Sequence, residues 1–341
     1  MIIDLRSDTV TKPTAPMLEA MMRAEVGDDV FAEDPTVNLL QEKLADMFGK
    51  EAGLFCPSGT MTNQLAIGVH TRPGDEVICD RLSHIYNYEG GGIARNSGAS
   101  VRLIHGDQGR FTVEQIQGEV NPADSHYSRT SLVAVEDTCN KGGGAIYDFD
   151  ELKRLSEFAR SKGLGFHLDG ARAFNAIVEM GYDTKEYGRL FDSISICLSK
   201  GLGTPAGSVL LGSTDFIREA HRGRKVMGGG MRQVGILAAA GIYALDHHLP
   251  KLKEDNDRAK AIGEILAAHP KVSKVYPVQT NIVIFQLHQA DGAEQFCASL
   301  EKEGIRSMPF GPDKVRFVFH HEIGDDHLER LKDILQAVTT A

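Results

Sequence analysis

Leu164-Gly165-Phe166-His167-Leu168-Asp169-Gly170-Ala171-Arg172 and, further along, Ser195-Ile196-Cys197-Leu198-Ser199-Lys200-Gly201-Leu202-Gly203 decide how this chain folds. Each opens with an apolar run too short for a helix and bounded by Gly, Asp or Ser, the pattern of a buried strand. Each closes on a chemically capable side chain, the Asp169 carboxylate in one and the Lys200 amine in the other. The strand readings at 164–169 and 192–198 have companions at 131–136 and 208–211. Helical patterns lie among them. Residues 36–48 place Val37, Leu40, Leu44 and Met47 at a helical period, residues 150–158 repeat it, and Thr112 with Gln115 spells a capping box. This alternation from about residue 36 to residue 244 predicts an α/β fold, a mainly parallel sheet covered by helices. Ligands of such sheets bind outside the carboxyl ends of the strands, where Asp169 and Lys200 fall.

After His248-Leu249-Pro250 the pattern changes. A charged helix at 251–267, strands at 272–275 and 282–286, a helix at 290–302, a strand at 315–319 and a terminal helix at 326–338 predict a smaller α+β domain. The expected division is a large domain over 1–249, with an N-terminal segment 1–20, and a small C-terminal domain over 250–341. A chain of 341 residues is longer than one core usually supports, which agrees with two domains. Apolar residues at 42% and charged residues at 25% are the balance of an ordinary globular protein. The formal net charge of −10 repels nucleic-acid phosphates and anionic lipid, so neither is expected as the main partner. Cys56, Cys79, Cys139, Cys197 and Cys297 are scattered without metal-ligand spacing and read as reduced thiols. Met1-Ile2-Ile3-Asp4-Leu5-Arg6 lacks the apolar run of a secretion signal, and no stretch approaches the roughly 18 apolar residues of a membrane span. The expectation is a soluble cytoplasmic protein.

Three features carry chemistry. Lys200 follows an apolar strand and enters Gly201-Leu202-Gly203, where small residues let an amine approach a ligand; taken alone it also reads as a solvated loop lysine. Asp169 ends a strand three residues before Arg172; taken alone it reads equally as a helix N-cap. Cys56-Pro57-Ser58-Gly59-Thr60-Met61-Thr62-Asn63 is a small-residue turn opening a helix, whose unpaired N–H groups and dipole suit a phosphate. That turn lacks the lysine of a nucleotide P-loop, and an ordinary capped helix is its plainer reading.

In this order, phosphate turn, acidic strand end and lysine, the sequence resembles the fold-type-I pyridoxal-phosphate enzymes, whose large domain is aspartate-aminotransferase-like. The finer resemblance is to the L-threonine aldolases, in their low-specificity and L-allo-threonine forms. It is carried by Asp4-Leu5-Arg6-Ser7-Asp8-Thr9-Val10-Thr11, Gly27-Asp28-Asp29-Val30-Phe31, Asp34-Pro35-Thr36, Ser83-His84, the stretches around Asp169 and Lys200, and Gly228-Gly229-Gly230-Met231-Arg232-Gln233. The resemblance implies pyridoxal-phosphate-dependent cleavage of L-threonine, L-allo-threonine and other β-hydroxy-α-amino acids to glycine and an aldehyde. It implies Lys200 as the Schiff-base lysine, Asp169 as partner of the pyridine nitrogen, His84 stacked on the ring, and Gly59 and Thr60 at the phosphate. Ser7, Arg172 and Arg316 would hold the substrate carboxylate, for which an arginine fork donates two parallel hydrogen bonds, and Arg172 would also border the cofactor. Lys225 and Arg232 would reach the phosphate, and Phe31 the substrate, across a subunit interface of a homotetramer built from dimers. His84 and His126 are the implied partners of the β-hydroxyl.

Plainer readings stand beside these: His84 as a turn histidine near Tyr86 and Tyr88, His126 as a solvated side chain, Arg316 as a surface ion-pairing residue. Glu136-Asp137-Thr138-Cys139-Asn140 departs from the family, which more often has Asn and His at the second and fourth positions. His247-His248 and His320-His321 read as non-ligands, because adjacent side chains diverge on either a strand or a helix, and no metal is expected. The competing function is another lyase or an aminotransferase of the same fold, since cofactor motifs do not choose which bond breaks.

Overall fold

A computed structural model describes residues 2–337. A seven-stranded sheet runs in the order Ala52–Cys56, Ser208–Gly212, Ser193–Cys197, Gly165–Gly170, Thr130–Glu136, Glu76–Asp80, Ser100–Ile104. All neighbours pair in parallel except those of Ser208–Gly212, which is antiparallel to both. The expected strands appear within about a residue of the sequence reading. Glu76–Asp80 and Ser100–Ile104 are additions, masked in the sequence by charges that the fold pairs: Arg102 Nε lies 3.4 Å from Glu76 Oε1, and Asp80 accepts from Gly106 N at 2.7 Å. The capping box also forms, Gln115 Oε1 accepting from Thr112 N at 3.0 Å, yet its helix, Val113–Ile116, is a single turn.

Local signals explain where helices begin and end. Asp34 caps Pro35–Phe48 by accepting from Thr36 N and Val37 N, Pro35 supplies a pre-set first-turn φ, and Gly49 stops the helix at φ +62°. Val37, Leu40, Leu44 and Phe48 form its buried stripe against the sheet. A second core surrounds a four-stranded sheet built on Val272–Val275, Ile282–Leu287, Met308–Pro309 and Lys314–Val318, with helices Leu252–Ala267, Ala293–Lys302 and Asp325–Ala337 over it. The expected terminal helix therefore appears, and its final position, Val338, lies outside the described residues.

The N-terminal segment behaves differently from the sequence reading, which attaches residues 1–20 to the larger part. Ile3–Asp4 pairs in parallel with Ile305–Arg306, and Ile3 and Leu5 are buried in the second core, while Met17 is buried in the first. The segment spans both cores and draws the intervening Ser7 and Asp8 past the carboxyl ends of the main sheet. No helix among the described residues is long and apolar enough to cross a membrane.

Candidate active site

Lys200 stands three residues beyond a fully buried strand, Ser193–Cys197, with Leu198 N donating to Gly207 O at 3.0 Å. Its carbonyl accepts from Thr11 Oγ1 at 2.9 Å and from Gly203 N at 2.8 Å, which closes the loop and aims the side chain off the sheet. Gly203 is required at φ +76°: a Cβ there would sit 2.5 Å from His321 Cε1. The Lys200 side chain lines a cavity of about 150 Å³ with Ser58, Gly59, Thr60, Asn63, His84 and Asp169.

Asp169 is not the N-cap of the following helix. Arg172 occupies that position before Ala173–Met180, and Asp169 turns to the cavity, with Oδ2 accepting from Asn63 Nδ2 at 2.9 Å and Oδ1 from Ala171 N at 3.2 Å. Across from it, Ser58 caps Gly59–His70 through Met61 N, leaving the amides of Gly59 and Thr60 ahead of the first intrahelical bond, Thr62 N to Ser58 O. Beside this turn Ser208 Oγ is buried without a hydrogen-bond partner, 3.5 Å from where a Gly59 Cβ would project.

His84 opens a short helix and is gripped twice. Its N–H donates to Glu136 Oε2 at 2.8 Å, and its Nδ1 lies 2.9 Å from Glu89 Oε1. Burial works against the imidazolium, but the Glu89 hydrogen bond and the charges of Asp169 and Glu136 outweigh it and raise the His84 pKa. Glu136 is driven up to about 7 by burial and by Asp169, against the hydrogen bonds from Asn140 N and His84 N. Glu136 Oε1 takes the Asn140 bond at 2.9 Å, and Asn140 Oδ1 in turn accepts from Arg316 Nη1 at 2.8 Å. The segment that departs from the family thus frames the site through Glu136 and Asn140. Asp137, one of the departing residues, faces away, taking a 2.6 Å hydrogen bond from the Tyr187 hydroxyl, and burial pushes it up to about 7.

The two arginines expected to share a carboxylate are not equivalent. Arg172 is buried with its fork already filled: Nε and Nη2 each donate to Asp8 at 2.6 Å. The N-terminal segment thus brings Asp8 onto the Nε–Nη2 edge of Arg172, the residue that the resemblance implies as a holder of the substrate carboxylate. Arg316 bonds Asn140 and, through Nη2, Arg6 O at 2.9 Å, and its Nε is buried without a partner. Burial and the nearby Arg172 lower its pKa to about 10, outweighing the opposite influence of Asp8. Ser7 caps the turn Asp8–Val10, accepting from Thr9 N at 3.2 Å, next in sequence to the Arg6 carbonyl that Arg316 holds.

Residues 4–290 match the family described as beta-eliminating lyase. The low specificity L-threonine aldolase of Escherichia coli K12 is 47% identical over 329 residues, 96% of this chain and 96% of that protein. A probable low-specificity L-threonine aldolase of Arabidopsis thaliana is 41% identical over 334 residues, 96% of this chain and 94% of its own length. The chain belongs to the threonine aldolases of the beta-eliminating lyase family. It shares its fold with a solved Leishmania major threonine aldolase at TM-score 0.86 and 20% identity, covering 99% of both chains.

For a threonine aldolase, four of the expected residues stand elsewhere on this chain. His126 sits on the loop entering Thr130–Glu136 at the strand's amino end, its side chain 86% exposed and paired with Asp124, away from this chain's own cavity beyond the carboxyl end at Glu136. Phe31, 69% exposed, lies under the Arg232 guanidinium, which is 2.8 Å from Asp28. Lys225 lines a separate cavity with Val30 and Gly230. Sequence reading missed Asn63, Glu89, Glu136, Asn140 and Asp8 as site residues. Asn63 and Asp8 lie inside quoted motifs and could have been found there; Glu89 carries no local signal at all.

Proposed function

We propose that this threonine-aldolase family member cleaves L-threonine, L-allo-threonine and related β-hydroxy-α-amino acids to glycine and the corresponding aldehyde, using pyridoxal phosphate. The observation that carries the reading is the convergence of Lys200, Asp169, His84 and the Ser58-Gly59-Thr60 turn on one cavity. The residues present fit the cofactor. An amine, a fixed carboxylate, an imidazole and a helix N-terminus match its aldehyde, ring nitrogen, ring face and phosphate, and the orphan Ser208 Oγ beside the turn is a further donor. Lys200 would attach it, Asp169 would face the ring nitrogen, His84 would cover the ring, and Gly59 and Thr60 would take the phosphate. When bound, pyridoxal phosphate supplies an electron sink for the pair released at the substrate Cα.

The chain's own residues do the rest. Arg316, with its unfilled Nε, takes the substrate carboxylate, assisted by Ser7; anchoring the carboxylate fixes which Cα bond is held ready to break. Asn140 and Glu136 hold Arg316 and His84 at a fixed separation, so carboxylate and hydroxyl are presented together. We further read the chain as one subunit of a cytoplasmic homotetramer built from dimers. Exposed Leu18, Met22, Val26 and Ile236, which line one apolar groove, support a covered face, and Phe31, Lys225 and Arg232 would then serve a neighbour's site.

The deciding assay is glycine and acetaldehyde release by the cofactor-loaded protein from L-threonine and L-allo-threonine in parallel. Equal amounts of both products support the reading; transamination of a keto acid without aldehyde release overturns it. Arg316→Leu is expected to raise KM by about 10²-fold, with a smaller change in kcat, because a buried charge-assisted contact to the substrate is lost. An unchanged KM would remove Arg316 from the substrate site.

A further inference from the structure

Among the described residues the His84 ring is hydrogen-bonded on one side only. Nδ1 is committed to Glu89, so Nε2 is the nitrogen left for the cavity that His84 lines. Glu89 is a buried carboxylate held by two further contacts: Oε1 also accepts from Asn63 Nδ2 at 2.9 Å, and Oε2 from Gln64 Nε2 at 2.6 Å. Asn63 places its other amide hydrogen on Asp169 and its Oδ1 3.1 Å from His167 Nε2. Glu89 is thereby pinned by two amides of one long helix, Gly59–His70, and cannot swing away from the imidazole.

We propose that Glu89 is the positioning residue for proton transfer in this aldolase: it anchors His84 through Nδ1 and leaves Nε2 as the base that takes the substrate's β-hydroxyl proton. The inference deepens the aldol-cleavage reading and rests on it. A carboxylate that holds one imidazole nitrogen fixes the tautomer and makes the other nitrogen more basic. The proton balance is simple. Nε2 takes the hydroxyl proton as the Cα–Cβ bond breaks and the aldehyde carbonyl forms, and the same imidazolium can return a proton to Cα. His126, the other sequence candidate, is paired with Asp124 at the opposite, amino end of the strand in this chain.

The charged and titratable groups around His84 are Glu89 and Tyr88 on its own loop, Glu136 and Asp169 at two strand ends, and Lys200 across the cavity. Glu89 supplies the direct hydrogen bond that favours the imidazolium. The sign follows: removing its charge lowers the His84 pKa. Neutral imidazole is the active form of a base, so the acid limb of kcat/KM moves to lower pH.

The test uses the holoenzyme with Glu89→Gln and Glu89→Leu, reading kcat/KM against pH, and follows the His84 ring by histidine-selective NMR titration, assigned by loss of its signal in His84→Gln. Glu89→Gln keeps an acceptor for Nδ1 and should shift the acid limb and the NMR midpoint together by about one unit downward. Glu89→Leu frees the ring and should lower the pH-independent kcat by about 10²-fold with little change in KM. A midpoint and limb that stay put in Glu89→Gln overturn the inference, even if Glu89→Leu fails to fold. Absence of aldehyde from the wild type defeats the aldolase reading instead, and the NMR midpoint then still decides the Glu89–His84 pairing.

Discussion

Lys200→Ala is expected to lower aldehyde release from L-threonine by on the order of 10⁴-fold or more. Among the described residues lining the cavity Lys200 carries the only side-chain amine, the group that forms a Schiff base with an aldehyde, and its backbone is locked by Thr11 and Gly203, so the side chain can be truncated without releasing the loop. Lys200→Arg should be almost as inactive, because a guanidinium keeps the charge but stays protonated and cannot act as a nucleophile. Product formation by both variants, with thermal melting as the check on folding, decides the matter. Residual activity within tenfold of wild type in Lys200→Ala would assign the attachment to another group.

Asp8→Ala should destabilise the fold by about 3–5 kcal/mol, the usual consequence of stranding a buried charge. Arg172 is buried, and Asp8 accepts from its Nε and Nη2, with Asn281 Nδ2 adding a 3.3 Å contact. Burial alone would raise the Asp8 carboxyl, but the Arg172 charge and hydrogen bonds, with help from Lys200, hold it down to about 2. Its folded value lies below the ordinary carboxylate value of 3.8. The stability it contributes is therefore complete above that value and is lost as pH falls toward 2. Denaturant unfolding at matched protein and cofactor concentration measures the loss. If Asp8→Ala melts with the wild type, the pair does not hold the N-terminal segment, and the filled fork of Arg172 loses its structural meaning. Asp8→Asn should recover part of the stability, since the amide oxygen still accepts from the guanidinium.

Much of this architecture was legible in single segments. The strands leading to Asp169 and Lys200, the turn at Ser58-Gly59-Thr60 and the helix read at 36–48 each announce themselves through apolar period or turn residues within one short segment. Glu76–Asp80 and Ser100–Ile104 were hidden because their charges break the apolar run, and only a partner on the adjacent strand makes those charges tolerable inside a sheet. Arg172 was identified as a site arginine, but its engagement was not legible: Asp8 lies 164 positions away, and which acid fills the fork depends on how Ile3–Asp4 docks on Ile305–Arg306.

Local period and contiguous motifs carried the α/β alternation, the placing of an aspartate and a lysine at the carboxyl ends of two strands, and the family. Which buried group holds which follows from packing and not from the chain's local pattern. Glu89 on His84, Asn140 on Arg316 and Asp8 on Arg172 join residues 5, 176 and 164 positions apart, and even the shortest of these spacings is neither a helical nor a strand period. A buried charge must find its partner wherever packing brings one, so such pairings follow from the closed fold and from no pattern along the chain.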